Sequence, residues 1–335
     1  MATIKEVAQL AGVSPMTASR VVNGTGNVRS DLQEKVLRAV EALNYTRNYA
    51  AAALRQRTQP TWTIGLVIEN VANPYLAQLH REIEDTVRAE GSFVLACSTD
   101  EDLEQVTHLV QELRSREVDG LIVAPPPGDQ SYLTATPRVP AVLVDRPAVG
   151  VSIPSVISDG RTGTHDAVEH LVWHGHRRIA YISDLRSATM QDRYEGFLDG
   201  LTSNHLDHED ELIRADTATP HQAREVVREL LSLTRPPTAV VTGRDGTTIG
   251  AARGLHEAKA HYDVALVGFD DIATADLMDP GITVVAQDPR AVGSQAARML
   301  LAQLDDPSAH PHSERIPTTL IPRGSGEIPG PHSSA

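Results

Sequence analysis

From Ser14 to Arg20 the chain reads Ser-Pro-Met-Thr-Ala-Ser-Arg, which places Pro15, Met16, Thr17, Ser19 and Arg20 on a stretch of helical length. These are small or polar groups plus one long cation. An arginine in this setting can bridge the O6 and N7 atoms of a guanine or clamp a phosphate. The hydroxyls of Thr3, Ser14, Thr17 and Ser19 and the amide of Asn23 suit phosphate oxygens, contacts that set register without carrying sequence information. The chemistry offered is the reading of a DNA groove.

Such side chains need a rigid mount, and the flanking residues supply one. Thr3 can cap a first helix while Glu6 reaches back to it, and Ile4, Val7, Ala8 and Ala11 fall on one face. Gly12 gives the tight turn and Val13 fills the angle. Ser14 caps a second helix whose first position is Pro15, where a missing N–H costs nothing. Val21 and Val22 lie near its buried end, and Gly24 stops it. Ser30 opens a third helix with Leu32, Val36, Val40 and Leu43 at helical spacing. The pattern is a helix-turn-helix, although two short amphipathic helices joined by a glycine give the same spacing.

Charge separates this segment from the rest. Lys5, Arg20, Arg29, Lys35, Arg38, Arg47, Arg55 and Arg57 face only Glu6, Asp31, Glu34 and Glu41 over residues 1–58, a net charge of +4 in a chain of net charge −14. The basic charge sits where phosphate contact is expected. The length of 335 residues calls for more than one folding unit. Cys97 is the single cysteine, which excludes an intrachain disulfide framework and fits a reducing cytoplasm. No apolar run is long enough to span a membrane and the N-terminus reads as a capped helix rather than a signal peptide, so a soluble intracellular protein is expected.

Beyond residue 63 short β-rich runs at 64–68, 92–97, 120–123, 141–144, 155–157, 178–182, 239–242 and 264–268 alternate with helical patterns at 75–89, 101–115, 161–174, 190–201, 220–232 and 247–256. Strict alternation predicts parallel sheets covered on both faces, with ligands at the carboxyl ends of the strands. No Gly-x-Ser-x-Gly elbow, Walker loop, Gly-x-Gly-x-x-Gly or Cys/His metal cluster appears, so nothing offers a nucleophile or a cofactor cradle. His170, His174 and His176 are read as a turn before a strand rather than as metal ligands.

From Thr3 to Leu54, with Asn44-Tyr45-Thr46-Arg47-Asn48 and the run Ala50 to Leu54 after the third helix, the chain resembles the headpiece and hinge of the LacI/GalR (lac repressor) family of transcription regulators. The resemblance continues through Asn73-Pro74-Tyr75, Val144-Asp145-Arg146-Pro147, Gly175-His176-Arg177-Arg178, Arg193-Tyr194-Glu195-Gly196-Phe197 and Val267-Gly268-Phe269-Asp270-Asp271. It implies an all-α helix-turn-helix headpiece plus an α/β periplasmic-binding-protein-like core of two Rossmann-like lobes. The implied boundaries are a headpiece at 1–46, a hinge helix and linker at 47–60, and an effector-binding and dimerisation domain at 61–324. Within that domain the N-lobe takes about 61–158 and 289–314 and the C-lobe about 159–288 and 315–324. The tail 325–335, rich in Pro, His and Ser, is read as disordered.

The resemblance also implies roles. The chain would be a ligand-responsive regulator, a repressor of carbohydrate-use genes, binding a palindromic operator in double-stranded DNA as a homodimer. The end of the chain lacks the leucine heptads of a tetramerising helix. Pro15 and Met16 fall where family members vary and choose their operator. Asn48, Ala51 and Leu54 lie on the hinge, where the matching leucine wedges into the minor groove and kinks the DNA. No cofactor is implied, only a small-molecule effector, a sugar or sugar derivative.

Asp270 and Arg193 lead the effector contacts because a carboxylate and a guanidinium suit vicinal hydroxyls. A structural Asp–Arg pair across the lobes is the competing reading. Asn73, Tyr75, Asp145, Arg146, Asp159 and Gln287 follow, with turn and capping chemistry as their alternative, and Arg244 joins them as an added cation. Arg244-Asp245-Gly246 and Asp159-Gly160 depart from the family pattern. The first adds a cation, so an acidic or phosphorylated effector stands beside a neutral sugar, unless Asp245 or Asp270 neutralises it. A cytoplasmic or exported sugar-binding protein without a transcriptional role is the alternative function.

Overall fold

The computed structural model describes residues 2–22, 28–45, 60–136, 138–309 and 311–333, in two compact units that divide at Thr61 and Trp62. The expected contacts Asn23, Asn48, Ala51 and Leu54 lie outside the described residues.

The first unit holds helices Ile4–Ala11, Pro15–Val22 and Ser30–Ala42. Thr3 and Glu6 form the reciprocal capping box, and Gly12 ends the first helix at φ 64°, a left-handed conformation that costs a glycine nothing. The core is built from small residues: Val7, Ala8, Ala11, Ala18, Val36 and Ala39 are buried, with Val13, Val21, Val40 and Leu43 packed against them. Small side chains let three short helices approach closely.

The second unit contains two six-stranded sheets. The first combines β1 (Thr63–Ile68), β2 (Phe93–Ser98), β3 (Gly120–Val123), β4 (Ala141–Val144), β5 (Ser155–Ser158) and β11 (Glu314–Ile316) in the order β11-β5-β4-β3-β1-β2. Its pairings are all parallel. The second combines β6 (Ile179–Ile182), β7 (Ile213–Arg214), β8 (Ala239–Thr242), β9 (Ala265–Phe269), β10 (Thr283–Ala286) and β12 (Thr319–Ile321) in the order β12-β10-β9-β8-β6-β7. Only its β10–β12 pair is antiparallel. Helices such as Pro74–Ala89 and Pro289–Asp305 cover the first sheet, and Gly160–Trp173 and Ala188–Ser203 pack together beside the second.

The chain passes between lobes after β5, after β10 and between β11 and β12. The last passage falls at residues 317–318, because Glu314, Arg315 and Ile316 pair with β5, whereas the sequence reading divides the lobes at 314 and 315. The sequence reading does not include β10, although its four-residue run is as fully buried as those of β3, β4 and β8, which it does include.

The tail departs from its expected disorder over the described residues 325–333. The Ser325 hydroxyl donates to the Leu266 carbonyl at 2.6 Å and accepts from the Thr283 N–H at 2.9 Å. Glu327 meets His170 Nε2 at 2.5 Å and accepts from the Thr283 hydroxyl at 2.9 Å. Ile328 is buried in the core of the second lobe, and its carbonyl accepts from His176 Nε2 at 2.8 Å. At Gly175, φ 92°, a Cβ would stand 2.1 Å from the Ser333 nitrogen, so only glycine lets the tail lie this close. Polar composition suggests a free end, but its polar groups are satisfied inside the second lobe. His170 and His176 therefore anchor the tail, and burial pushes the His176 imidazole below its ordinary pKa.

Candidate DNA-reading helix and ligand cleft

On the second helix of the first unit Ala18 points into the core, so the residues around it face outward. Pro15 and Arg20 are exposed, and Met16 keeps 66% of its surface accessible. Ser14 accepts from the Thr17 N–H at 3.1 Å and shares a hydroxyl contact with Thr17 at 2.9 Å. The Thr3 hydroxyl donates to Glu6 at 3.0 Å and accepts from its N–H at 3.4 Å. Thr3 and Ser14 thus spend hydrogen-bonding capacity on caps, while Met16 and Arg20 stand clear as the most available reading groups. Ser19 is half-buried.

In the second unit the carboxyl ends of both sheets face a cavity of about 470 Å³. Asn73 and Tyr75 reach it from the turn after β1, Asp145 and Arg146 from β4, and Arg193 from the helix after β6. Arg244 follows β8, Asp270 follows β9, and Gln287 follows β10; all eight line the cavity. Parallel strands leave their polar loops at one end, which is why residues so distant in sequence converge. Asp159 is not among the lining residues. Its carboxylate accepts from the Thr162 N–H at 3.3 Å and hydroxyl at 2.8 Å, so the capping alternative holds there.

Sequence reading missed Glu69, Asp100, Glu101, Asp184, Arg186 and Thr189, which line the same cavity. Glu69, Asp100, Glu101, Asp184 and Arg186 follow β1, β2 or β6 within four residues, so the expectation of ligands at the carboxyl ends of the strands contained their signal, while Thr189 comes from the first turn of the next helix.

Asp270 and Arg193 both belong to the second lobe, so they are not a pair across the lobes. The Asp270 carboxylate accepts from Gln287 Nε2 at 2.5 Å and the Asp245 N–H at 3.3 Å. Burial pushes its pKa up, against the opposing pull of Arg193. Arg193 is 2% exposed, lies with its guanidinium carbon 3.6 Å from the centre of the Phe269 ring, and donates through Nη1 to the Gly243 carbonyl at 2.7 Å. Its Nε is buried without a hydrogen-bond partner. A buried donor without a partner costs energy in the free state, which the packing around this side chain must offset.

Arg244 is not a spare cation. Its Nη1 pairs with Asp184 at 3.1 Å and its Nε stands 4.0 Å from Asp245, so the carboxylate that chiefly neutralises it is Asp184. Burial alone would raise the Asp184 carboxyl, but the Arg186 N–H and the Arg244 guanidinium outweigh it and hold its pKa below the ordinary value. Taken together, Glu69, Asp100, Glu101, Asp145, Asp184, Asp245 and Asp270 line the cavity against Arg146, Arg186, Arg193 and Arg244. Carboxylates outnumber guanidiniums, which disfavours an anionic ligand. The lobes touch across this space, where the Thr189 hydroxyl donates to the Asp145 carbonyl at 2.9 Å.

Two α/β lobes closing on a polar cavity form a small-molecule-binding architecture, and a three-helix unit with an exposed second helix is a DNA-reading one. Residues 3–48 match the model of bacterial regulatory proteins, lacI family, and residues 168–326 match that of the periplasmic binding protein-like domain. The ribose operon repressor of Halalkalibacterium halodurans is 32% identical over 329 residues, 96% of this chain and 96% of the relative. The structure of the lac repressor dimer bound to operator and the anti-inducer ONPF superposes with a TM-score of 0.86 at 29% identity, covering 97% of this chain and 99% of that one. A complex of the transcriptional regulator CelR with cellobiose gives 0.73 at 27% identity, covering 97% of this chain and 100% of that one.

The chain belongs to the LacI family of bacterial regulatory proteins. It is a DNA-binding transcriptional regulator and not an enzyme. Among the described residues no helix is long and apolar enough to cross a membrane.

Proposed function

We propose that this regulator represses genes of carbohydrate use in the cytoplasm, holding a palindromic operator as a homodimer until a polyhydroxylated effector enters the cleft. The observation that carries the reading is the convergence of Asn73, Tyr75, Asp145, Arg146, Arg193, Arg244, Asp270 and Gln287 on one polar cavity between two lobes. Relatives support it: one is named for the ribose operon, one is a dimer on its operator, and one holds cellobiose. The proposed DNA contacts are Thr3, Ser14, Pro15, Met16, Thr17, Ser19, Arg20 and Asn23 in the headpiece, with Asn48, Ala51 and Leu54 in a hinge segment at 47–60.

In this reading the carboxylate of Asp270 accepts from ligand hydroxyls and Arg193 donates to a ligand oxygen, while residues of both lobes share the ligand. A molecule bound by both walls changes how the lobes meet, and any difference in affinity between the two arrangements shifts their populations. The effect on DNA is then a coupling free energy, typically about 1–3 kcal/mol. Selection of operator fragments on the full-length protein, followed by titration with sugars, tests this. A palindrome with half-sites about one helical turn apart, bound with steep salt dependence and lost on adding a sugar, is the expected result. Sugar binding with no DNA selected would favour a plain sugar-binding protein.

A further inference from the structure

The excess negative charge of the cleft is concentrated on one wall. In the first lobe Glu69, Asp100, Glu101 and Asp145 line the cavity with Arg146 as the sole guanidinium. That guanidinium is shared: Nη2 donates to Glu101 and stands 3.6 Å from Glu69, Nε stands 3.6 Å from Asp145, and Nη1 donates to the Pro125 carbonyl at 3.1 Å. One positive charge cannot neutralise three carboxylates. The opposite wall makes up only part of the difference: Arg244 acts on Glu69 across the cleft, but its nearest carboxylate is Asp184, at 3.1 Å. The carboxylates are themselves partly withdrawn from water, Glu69 with 29% and Glu101 with 27% of the side chain exposed. Burial and the neighbouring Glu101 charge push the Glu69 carboxyl above its ordinary pKa. Leaving like charges together in a half-buried wall costs energy that an incoming cation recovers.

The facing wall asks for something different. Arg193, 2% exposed, lines the cavity and spends Nη1 on the Gly243 carbonyl, so the remaining N–H groups of its guanidinium are the donors this wall offers to an acceptor oxygen. The complementary molecule has oxygen at one end and positive charge at the other. A bare metal ion is the poorer fit. Among the described residues the only group of three metal-capable side chains with ligand atoms within 4.8 Å of one another is His165, Asp166 and Glu169, none of which lines the cleft. Carboxylates spread more widely suit an organic ammonium flanked by hydroxyls, whose several donors reach separate acceptors.

Resting on the reading of this cleft as the effector site, we propose that the effector is a polyhydroxylated amine of the amino-sugar class. Its oxygens lie toward Arg193 and Asp270, and its ammonium lies among Glu69, Glu101 and Asp145.

The test uses the full-length protein and matched sets of probes: glucose, glucosamine, N-acetylglucosamine and the phosphate ester of glucose, with the corresponding galactose and ribose sets. Thermal shift ranks them, since a ligand bound by the folded state raises Tm by mass action, and calorimetry measures affinity. The expected result is an amine binding about tenfold or more tightly than its hydroxyl and N-acetyl counterparts, with the phosphate ester weakest. Glu69→Gln, of nearly the same shape, should shrink the amine preference several-fold, with its own Tm verifying the fold, and acidification should shrink it in the wild type. A hydroxyl or phosphate form that binds best overturns the amine proposal and leaves the sugar-effector reading standing. An amine preference untouched by Glu69→Gln also overturns it. No shift from any probe at millimolar concentration overturns both.

Discussion

The headpiece and the cleft handle charge in opposite ways. In the first unit the long cation and the apolar tip on the second helix stand in solvent, Met16 with 66% of its surface exposed, above a core of alanines and valines. In the second unit Arg193 is buried, Arg244 and Arg146 are tied to carboxylates, and Asp270 is held between Gln287 and a backbone N–H. A partner that brings its own dense negative charge requires only that cations be presented to it. A small ligand brings little, so the protein must arrange the charges in advance and bear the cost of holding them together in the free state. The first site is built for presentation and the second for restraint.

Restraint should be the costlier feature to lose. Arg193→Met removes a guanidinium 2% exposed, strands the Gly243 carbonyl, and alters the contact over Phe269. We expect a loss of about 1–3 kcal/mol in chemical denaturation of the second unit, together with loss of any sugar-induced thermal shift. Retained stability would show that this buried cation is not structurally restrained. At a similar cost of about 1–3 kcal/mol, Ala18→Leu overfills the small headpiece core, where Ala18 is 0% exposed. DNA binding should fail while the thermal transition of the second unit stays in place, and a shift of both transitions would deny the two units their independence.

Arg20→Ala leaves the fold intact and weakens operator binding by about 1–3 kcal/mol if the guanidinium reads a base edge, with relaxed specificity at that position. A uniform loss across sequences with a shallower salt slope would make it a phosphate contact instead.

The smallest effects are in the pH dependence, where two carboxyls of the cleft should act with opposite sign. The Asp184 pKa is lowered in the folded state, so its contribution is present above the ordinary carboxylate range and is lost as pH falls through the depressed value. The Asp270 pKa is raised, so its ionisation costs stability at neutral pH, and that cost is relieved as pH falls through the raised value. Asp184→Asn should therefore flatten the acid limb of a stability curve, while Asp270→Asn should raise stability at neutral pH and abolish sugar binding. Equal slopes in both variants would contradict the distinction.

Much of this was legible from residues alone where the determining contacts are short in sequence. Thr3 with Glu6, Gly12, and Ser14 with Thr17 lie within one helical turn of their partners, so local hydrogen bonding sets where the headpiece helices begin and end. Asn73, Asp145, Arg146, Arg244 and Asp270 were legible for a second reason: they follow strands that the alternation predicts, and parallel strands send the residues after them to one edge, whereas Tyr75, Arg193 and Gln287 were named through the family resemblance. What the amino-acid order could not settle is which of those charges meet. Arg244 finds Asp184, 60 residues away, rather than Asp270, and that pairing removes the cation expected to favour an anionic effector. Ser325, Glu327 and Ile328 look like a free tail until Leu266, Thr283, His170 and His176 are brought beside them. Short-range geometry is written in spacing, whereas the neutralisation of buried charge depends on which loops two sheets bring face to face. Only the folded chain decides that.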